Sequence, residues 1–565
     1  MHSYRINAAH FRIRVLENEE AYALLKNDTF QTEWAELAAA CPWSTACQTW
    51  QFADAWLEAY RDLYVPLLLV EHDEAGHLIG LLALAIERTS GAIVHVGAHQ
   101  AEYQVWLAKE VNAESFIEEA LDTLALAYPR QHMRLQYLPP GSPIDWCRSK
   151  CRWGARTILH EKTRPLLTLG PESPVEASLR KKSNKSRINR LRKIAPVRLV
   201  QVHTRTELEE VIDSIADYCD LRQGAINSAL PFKDDPRKRE FCLRLLENPG
   251  ISHVTVLMVG DTLAAANVGL VNGTSVSLGI VVHSPFVAEH SPGKILILLL
   301  ARELGRQGFK ELDLTPGGDM YKDRSADHHD QVYTLGIFFD QWDYSRHAMR
   351  SKLRLLARSI AGRHAGSLAS TLRFVARRDL RTLLMEMVRT AGISTFDRKG
   401  KRSYTVTLKQ TRQVGAHPVF RVNCIPDLLC YEPATWLDPG KSQFLLAASR
   451  RLEAGDMAYT LSENGVLLHC AWISRSAVGF LHGNAQEFSD AACILWEEYT
   501  HPQAVKLDLS KLSLKQRLHD AAQLPGVSTV TILTSMDEAD VYDCCGHTEF
   551  RGFNPRVSKP LFDTR

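Results

Sequence analysis

Apolar and polar positions along the first 170 residues alternate between the two-residue period of strands and the longer period of helices. The two runs 65–70 and 78–87 are joined by a segment that contains Asp73, Glu74 and Gly76, which predicts a hairpin. Other strands are predicted at 11–16, 92–96, 132–137 and 166–169, and helices at 29–40, 51–60 and 113–127. This order predicts one central sheet with helices beside it.

The middle of the chain predicts a three-stranded antiparallel meander. Apolar runs at 253–259, 262–270 and 275–282 are separated by the turn pairs Gly260-Asp261 and Asn272-Gly273. A helix capped by Thr206 is predicted upstream of it, because Glu209 and Glu210 follow that residue. A helix at 294–307 and a short buried strand at 311–314 follow the meander.

After an arginine-rich helical stretch at 344–398, the last part of the chain again alternates predicted strands and helices. Strands are predicted at 457–461, 466–474, 527–534 and 549–553, and helices at 443–453, 490–499 and 511–523. The fold class is therefore α/β (α+β), with mixed, mainly antiparallel sheets flanked by helices. We expect four segments: a domain at 1–170, a central domain at 171–344, a basic helical linker at 345–402 and a last domain at 403–565.

The amino-acid composition excludes several classes of protein. Hydrophobic residues make up 45% and charged residues 23% of the 565, values that exclude wholesale disorder. The longest apolar run, Ile295 to Ala301, is too short to cross a bilayer, and residues 1–14 lack an apolar signal core, so we expect a cytoplasmic protein without a transmembrane segment. Twelve scattered cysteines without a C-x-x-C pair favour reduced thiols, and no metal is expected.

The net charge of +2 conceals two basic segments on an acidic body. Residues 178–198 hold nine Lys or Arg and no acid, and residues 344–402 hold fifteen against three acids. Such segments contact phosphates, anionic lipid or only solvent. The second contains Leu353, Leu355, Leu356 and Ile360 among its arginines, a pattern that suits either a membrane surface or packing between domains.

Residues 288–322 carry the clearest chemical signal. A meander strand leads through His290, Ser291, Pro292 and Gly293 into a helix that begins with Lys294. Unpaired backbone N–H groups at a helix start attract anions, above all phosphates. Ser291, Pro292, Gly293 and Lys294 are therefore the predicted cofactor-binding residues.

This arrangement resembles the GNAT superfamily of acyl-CoA transferases, and more closely the CelD-type acetyltransferases associated with cellulose and exopolysaccharide production. The resemblance covers Ser178 to Tyr344. Its motifs, in order, are Ser291-Pro292-Gly293, Gly308, Leu312-Asp313, Gly317-Gly318 and Tyr321-Lys322. Residues 47–50, with Trp56 and Gly80, are also typical of that branch.

The resemblance implies acyl transfer from acetyl-CoA or another acyl-CoA to the amine or hydroxyl of a small-molecule or saccharide acceptor. Tyr321 would protonate the leaving thiolate, Lys322 would stabilise the oxyanion or hold a phosphate, and Asp313 would act as a base or orienting group. Arg222, Gly317 and Gly318 are the predicted substrate-binding residues. Association with a membrane or a polysaccharide synthase would follow from the pathway.

Two other functions stay open. Tandem units also resemble FemAB-like aminoacyl transferases, which use aminoacyl-tRNA, and the basic stretch 179–194 suits an RNA backbone. The phosphate loop of this chain has one glycine, Gly293, where GNAT enzymes carry Q-x-x-G-x-G/A, so a scaffold or regulator without turnover is the third hypothesis. The C-terminal unit lacks S-P-G and Y-K equivalents and is predicted to have no chemistry of its own.

Overall fold

The computed structural model describes residues 12–148, 152–350, 402–408, 420–435, 438–475, 492–545 and 550–553. These residues form two compact units. The first draws on Met1–Asp213, Pro236–Val282 and Pro292–Ala369, and the second on Ser214–Asp235, His283–Ser291 and Ser370–Arg565.

The first unit contains a small antiparallel sheet built from the N-terminal segment. Its strands are β1 (Ile13–Glu17), β2 (Tyr64–His72), β3 (Leu78–Glu87), β4 (Ile93–His95) and β5 (Leu107–Ala108). The order is β1-β2-β3-β4, and β5 also pairs with β3. The predicted hairpin is β2–β3, in register from Tyr64 opposite Glu87. Strand β3 is almost wholly buried, which explains its unbroken apolar run.

A second sheet of eight strands takes members from both sides of residue 170. They are β6 (His132–Leu138), β7 (Thr157–Thr168), β8 (Val197–Val202), β9 (Ser252–Val259), β10 (Thr262–Asn272), β11 (Ser275–His283), β12 (Glu311–Asp313) and β13 (His328–Phe338). The order is β6-β13-β7-β12-β11-β10-β9-β8. The predicted meander is therefore β9–β11, whereas β6 and β7 enter the sheet from the N-terminal segment. A domain boundary at 170 stays a prediction.

Helices flank these sheets. They are α1 (Glu19–Leu25), α2 (Asp28–Ala40), α3 (Trp50–Ala59), α4 (Ala113–Ala127), α5 (Asp145–Arg148), α6 (Val175–Arg180), α7 (Lys182–Ile194), α8 (Arg205–Glu209), α9 (Ile212–Asn227), α10 (Arg237–Glu247), α11 (Pro292–Arg306) and α12 (Met320–Ser325). Helix α9 begins in the first unit and continues in the second. The cap predicted at Thr206 is wrong: Thr204 accepts from the Glu207 N–H, and the Glu207 side chain accepts from the Thr204 N–H, a capping box two residues earlier.

Strands β11 and β12 are the parallel neighbours of the eight-stranded sheet, and they part quickly. Their register covers Ser275 opposite Glu311, Val276 opposite Leu312 and Ser277 opposite Asp313. Strand β11 continues to His283 while β12 ends at Asp313, so the pairing of the two strands stops at Asp313. An apolar cluster of β7, β11, β12, α6 and α11, which includes Val276, Leu300 and Leu312, packs under this part of the sheet.

The second unit contains a sheet of seven strands. They are β14 (Arg402–Thr407), β15 (Arg421–Val422), β16 (Met457–Glu463), β17 (Val466–Ser474), β18 (Ala492–Thr500), β19 (Thr529–Thr534) and β20 (Phe550–Phe553), in the order β15-β16-β17-β18-β19-β14-β20. Its helices in the C-terminal segment are α13 (Ile425–Leu428), α14 (Lys441–Glu453), α15 (Leu509–Gln523) and α16 (Glu538–Cys545). Strands β18 and β19 run parallel, as β11 and β12 do.

One predicted helix of this unit is wrong. Residues 490–499 overlap β18, a strand between β17 and β19. Cys493, Ile494, Leu495 and Trp496 form a continuous apolar run, and periodicity alone does not separate a buried strand from a buried helix. The expected fold class, mixed and mainly antiparallel sheets flanked by helices, is confirmed.

Most of the arginine-rich linker lies outside the described residues, and so do Leu353, Leu355, Leu356 and Ile360. Residues 341–350 at its start are helical. Within the described part of the chain, no helix has both the length and the apolar content needed to cross a membrane.

Gly80 provides a test of packing in the first unit. A Cβ at this position of β3 would lie 2.4 Å from Cδ2 of Phe116 on α4, so Gly80→Ala forces this buried ring to move. We expect the variant to lose about 1–3 kcal/mol of stability, seen as a lower Tm in calorimetry. Gly336→Ala is the matched control, because a Cβ on that strand residue makes only an ordinary 3.5 Å contact. Equal Tm values for the two variants would contradict this packing.

Candidate active site

The start of α11 presents free backbone donors. Ser291 adopts a left-handed conformation (φ 53°), which ends the preceding 3₁₀ segment, and Pro292 is the first helical residue. Proline suits this place because the first N–H of a helix has no partner within the helix. The N–H groups that follow, on Gly293 and Lys294, belong to the unpaired first turn. The predicted anion site thus has the backbone geometry that it requires.

Three cations converge near this helix start. Helices α6 and α7 pack against α11, and Lys181 joins them at the N-cap of α7. Burial and the charges of Arg187 and Lys181 lower the pKa of Lys294. Like charges repel one another unless an anion lies among them. Lys181 and Arg187, which the sequence analysis described only as part of a basic stretch, are thus the cations whose charges act on Lys294 at the start of α11.

The end of β12 holds a buried network of charges. Asp313 is only 2% exposed, and its Oδ2 accepts from the Tyr103 hydroxyl at 2.5 Å and from Arg164 Nη1 at 3.3 Å. Arg164 also donates to both carboxylate oxygens of Asp330, at 2.7 and 2.5 Å. Burial raises the pKa of Asp313, although Arg164 and Tyr103 oppose the shift. Because both of its oxygens have donors, Asp313 is suited to positioning its neighbours.

The loop after β12 connects Asp313 to Lys322. The Thr315 N–H donates to the other oxygen of Asp313, Oδ1, at 2.8 Å, and Thr315 has a left-handed backbone (φ 63°). Lys322 Nζ donates to Thr315 Oγ1 at 2.8 Å and to the Thr315 carbonyl at 3.2 Å. Gly317 and Gly318 form the exposed tip of this loop, and Gly318 has a φ of 74°. The structure therefore brings together Asp313, Lys322 and the two glycines.

A glutamate that the sequence analysis missed lies beside this network. Burial and the charge of Asp313 raise the pKa of Glu102 to about 7, while the charge of Lys322 lowers it. Glu102 in turn acts with burial to raise the pKa of Tyr137. A carboxyl group with a pKa near neutrality holds and releases a proton readily at the working pH. Glu102 is thus the strongest candidate for a proton acceptor among the described residues of this site.

The segment that carries Glu102 and Tyr103 is held by the Cys47-Gln48-Thr49 stretch. The Gln48 side chain donates to the Tyr103 carbonyl at 2.8 Å and accepts from Thr45 within a capping box. Burial raises the pKa of the Cys47 thiol to about 11, so that it stays protonated at neutral pH. Cys47 is therefore a packing residue, and Gln48 supports the loop of the site.

The remaining predicted residues lie elsewhere. Tyr321 is partly buried and packs against the apolar cluster under β11 and α11. Arg222 and His290 belong to the second unit. His290 is buried, and its Nε2 lies 3.2 Å from Glu289. Among the described residues no group of His, Cys, Asp or Glu side chains could hold a metal ion.

A family model of known proteins matches the middle of the chain. Residues 178–323 match the family model described as an acetyltransferase (GNAT) domain. The predicted enzyme class, an acyltransferase, is confirmed by this match. No curated protein shows a significant match to the chain.

Solved structures with similar folds cover just over half of the chain. The C-terminal domain of a putative lysylphosphatidylglycerol synthetase from Agrobacterium fabrum is 11% identical, with a TM-score of 0.37 over 57% of this chain and 96% of that one. FemX is 7% identical, with a TM-score of 0.39 over 56% and 97%. A tandem GNAT protein from the clavulanic acid biosynthesis pathway is 11% identical, with a TM-score of 0.34 over 57% and 98%. Similarity at this level assigns no activity to this chain.

The raised pKa of Glu102 predicts a pH-dependent stability. The folded state keeps the proton up to about pH 7, whereas the unfolded chain releases it near the ordinary glutamate pKa of 4.5. The folded state therefore binds more protons in this window, and this contribution to stability is lost as the pH rises through 7. We expect Glu102→Gln to raise Tm relative to the native protein more at pH 8 than at pH 5. Exposed Glu110→Gln is the control; a pH-independent difference for Glu102→Gln would rule out the shift.

Proposed function

We propose that the protein transfers an acyl group from acetyl-CoA or another acyl-CoA to the amine or hydroxyl of a saccharide or similar small acceptor. The observation that carries the proposal is that Lys294, in the first turn of α11, lies close enough to Arg187 and Lys181 for their charges to lower its pKa. A diphosphate satisfies both the amides and the crowded cations. The pairing of β11 with β12 stops at Asp313, and the extended arm of an acyl-CoA would enter beside β11 beyond that point.

The roles of the residues follow from their surroundings. Acyl-CoA supplies an activated acyl group as a thioester. Glu102, with a pKa of about 7, accepts the proton of the attacking amine or hydroxyl. Lys322, held by Thr315, offers its positive charge to the oxygen on which negative charge develops. Asp313 keeps Thr315 and Lys322 in place. The role of Tyr321 comes from the Tyr321-Lys322 motif instead: it would donate the proton that the departing thiolate needs.

The acceptor class rests on the motifs rather than on geometry. Ser291-Pro292-Gly293 and Tyr321-Lys322 resemble the CelD-type branch, which favours exopolysaccharide or cellulose production as the pathway. Gly317 and Gly318 leave the loop tip before Tyr321 without side chains, so an acceptor can approach the backbone closely there.

Binding of CoA tests the phosphate site. We expect CoA to raise Tm, and Gly293→Glu to abolish the shift because its carboxylate would occupy the place of a phosphate. Arg187→Gln should weaken CoA binding about tenfold through the loss of one charge-assisted contact, measured by titration calorimetry. Arg198→Gln, an exposed cation on β8, is the matched control. Unchanged affinity in Arg187→Gln and Gly293→Glu would refute this site.

Turnover tests the proton transfers. Release of CoA from acetyl-CoA, with glucosamine as the acceptor, should increase through pH 7 as Glu102 loses its proton. We expect Glu102→Gln to lower kcat by about 100-fold or more without changing the affinity for CoA. Tyr321→Phe should lower kcat with little change in CoA binding. If either variant keeps the native turnover, the substituted residue has no part in the mechanism.

One observation favours the aminoacyl-tRNA alternative. Eight Lys or Arg lie between Arg180 and Lys193, and none forms an ion pair with another described residue. Seven of these cations are exposed, which suits the backbone of a nucleic acid. Steeply salt-dependent binding of charged tRNA with no effect of CoA would establish this alternative, and inertness to both ligands would favour a scaffold.

A further inference from the structure

The second unit contains a cavity of about 190 Å³ that no part of the acyl-transfer proposal uses. Three segments surround it: the body of α9, residues 283–285 and α14. Its polar lining residues are Tyr218, Arg222, His283, Ser449, Arg450 and Glu453. All of them belong to the second unit, so the cavity is complete within it.

The wall that α14 contributes follows from helical spacing. Leu446, Ser449, Arg450 and Glu453 are separated by three, one and three positions, which places them on one face of the helix. Helix α14 packs against residues 285–290. It also approaches α9 closely, because a Cβ at Gly224 would lie 2.6 Å from Leu445 Cδ1. The cavity is therefore bordered by tightly packed helices.

The charges in the cavity favour an anion. Arg222 and Arg450 contribute two positive charges and Glu453 one negative charge. Burial and the charge of Arg222 lower the pKa of His283 to about 4, so this side chain is neutral at pH 7. Burial raises the pKa of Tyr218, which stays protonated and hydrogen-bonds Ser284. The lining thus carries a formal charge of +1 at pH 7.

The other lining residues are apolar. Leu221, Ala225, Pro285 and Leu446 line the cavity beside the two guanidinium groups. A ligand that fits has one negative charge for the guanidinium groups and a short apolar body for these side chains. Inorganic phosphate has no such body and carries more than one charge near pH 7.

We propose that this cavity is a binding site for a small monocarboxylate with a short apolar body. The C-terminal segment, predicted to have no chemistry of its own, supplies Ser449, Arg450 and Glu453 to this site. Arg222, which the sequence analysis predicted to bind the acyl acceptor, lines this cavity instead. The test contains no CoA, so its outcome is separate from that of the acyl-transfer proposal.

The test is titration calorimetry on the full chain at pH 7 with benzoate, a monocarboxylate of suitable size. We expect benzoate to bind and benzyl alcohol, which has the same ring without the charge, to bind at least about tenfold more weakly. Arg450→Gln should weaken benzoate binding by a similar factor, since a charge-assisted hydrogen bond is lost. Arg450 is exposed, so this substitution leaves the core intact. Lys515→Gln, an exposed cation of the same unit, should bind benzoate normally.

Ala225→Phe gives a second test, because the added ring fills the cavity and should abolish benzoate binding while the Tm of the protein shows whether the fold is kept. Absence of benzoate binding would overturn the proposal, as would native affinity in both Arg450→Gln and Ala225→Phe. Equal affinity for benzyl alcohol, or tighter binding of inorganic phosphate, would overturn the assigned ligand class.

Discussion

The active site depends on the burial of Asp313 against Arg164. A buried carboxylate is costly unless donors surround it, and Asp313 has Tyr103, Arg164 and the Thr315 N–H within hydrogen-bonding distance. Arg164 lies on β7, Asp313 ends β12, and Asp330 lies on β13. The ion network therefore ties three neighbouring strands to the segment that carries Tyr103.

Two carboxyl groups in this region have different environments. Asp313 is surrounded by donors that oppose the effect of its burial, whereas the pKa of Glu102 is set by burial and by two charges of opposite sign. The same network therefore contains one carboxyl group that positions its neighbours, Asp313, and one whose pKa lies near neutrality, Glu102. Lys322 belongs to both, because it is held through Thr315 and acts electrostatically on Glu102.

Local patterns predicted much of the fold. The β2–β3 hairpin, the β9–β11 meander and helix α11 follow from alternation, turn residues and helical spacing. The helix expected at 490–499 failed because a continuous apolar run has no diagnostic period. The pairing of β6 with β13, nearly 200 residues away in the sequence, depends on tertiary contacts that no local pattern encodes.

The residues of the candidate site could be predicted only where they lie close together in the sequence. Gly293, Lys294, Asp313 and Lys322 lie in one stretch of chain and share motifs, whereas Glu102 comes from a distant segment. One signal was present: Glu102 interrupts the apolar stretch from Ala101 to Ala108, where an ionisable group is unexpected. No sequence signal distinguished Arg164, because arginines are common in strands that face solvent.

The shared eight-stranded sheet also sets the smallest length of chain that can form the site. A fragment that begins where the acetyltransferase family match begins, at residue 178, lacks β6 and β7, and so leaves one side of β12 and all of β13 without their partners. It also lacks Arg164, Tyr103 and Glu102. Such a fragment would expose unpaired strand edges to other copies and aggregate. Strands β6 and β7 of the N-terminal segment thus complete the sheet that carries Asp313, and an expressed fragment has to include them.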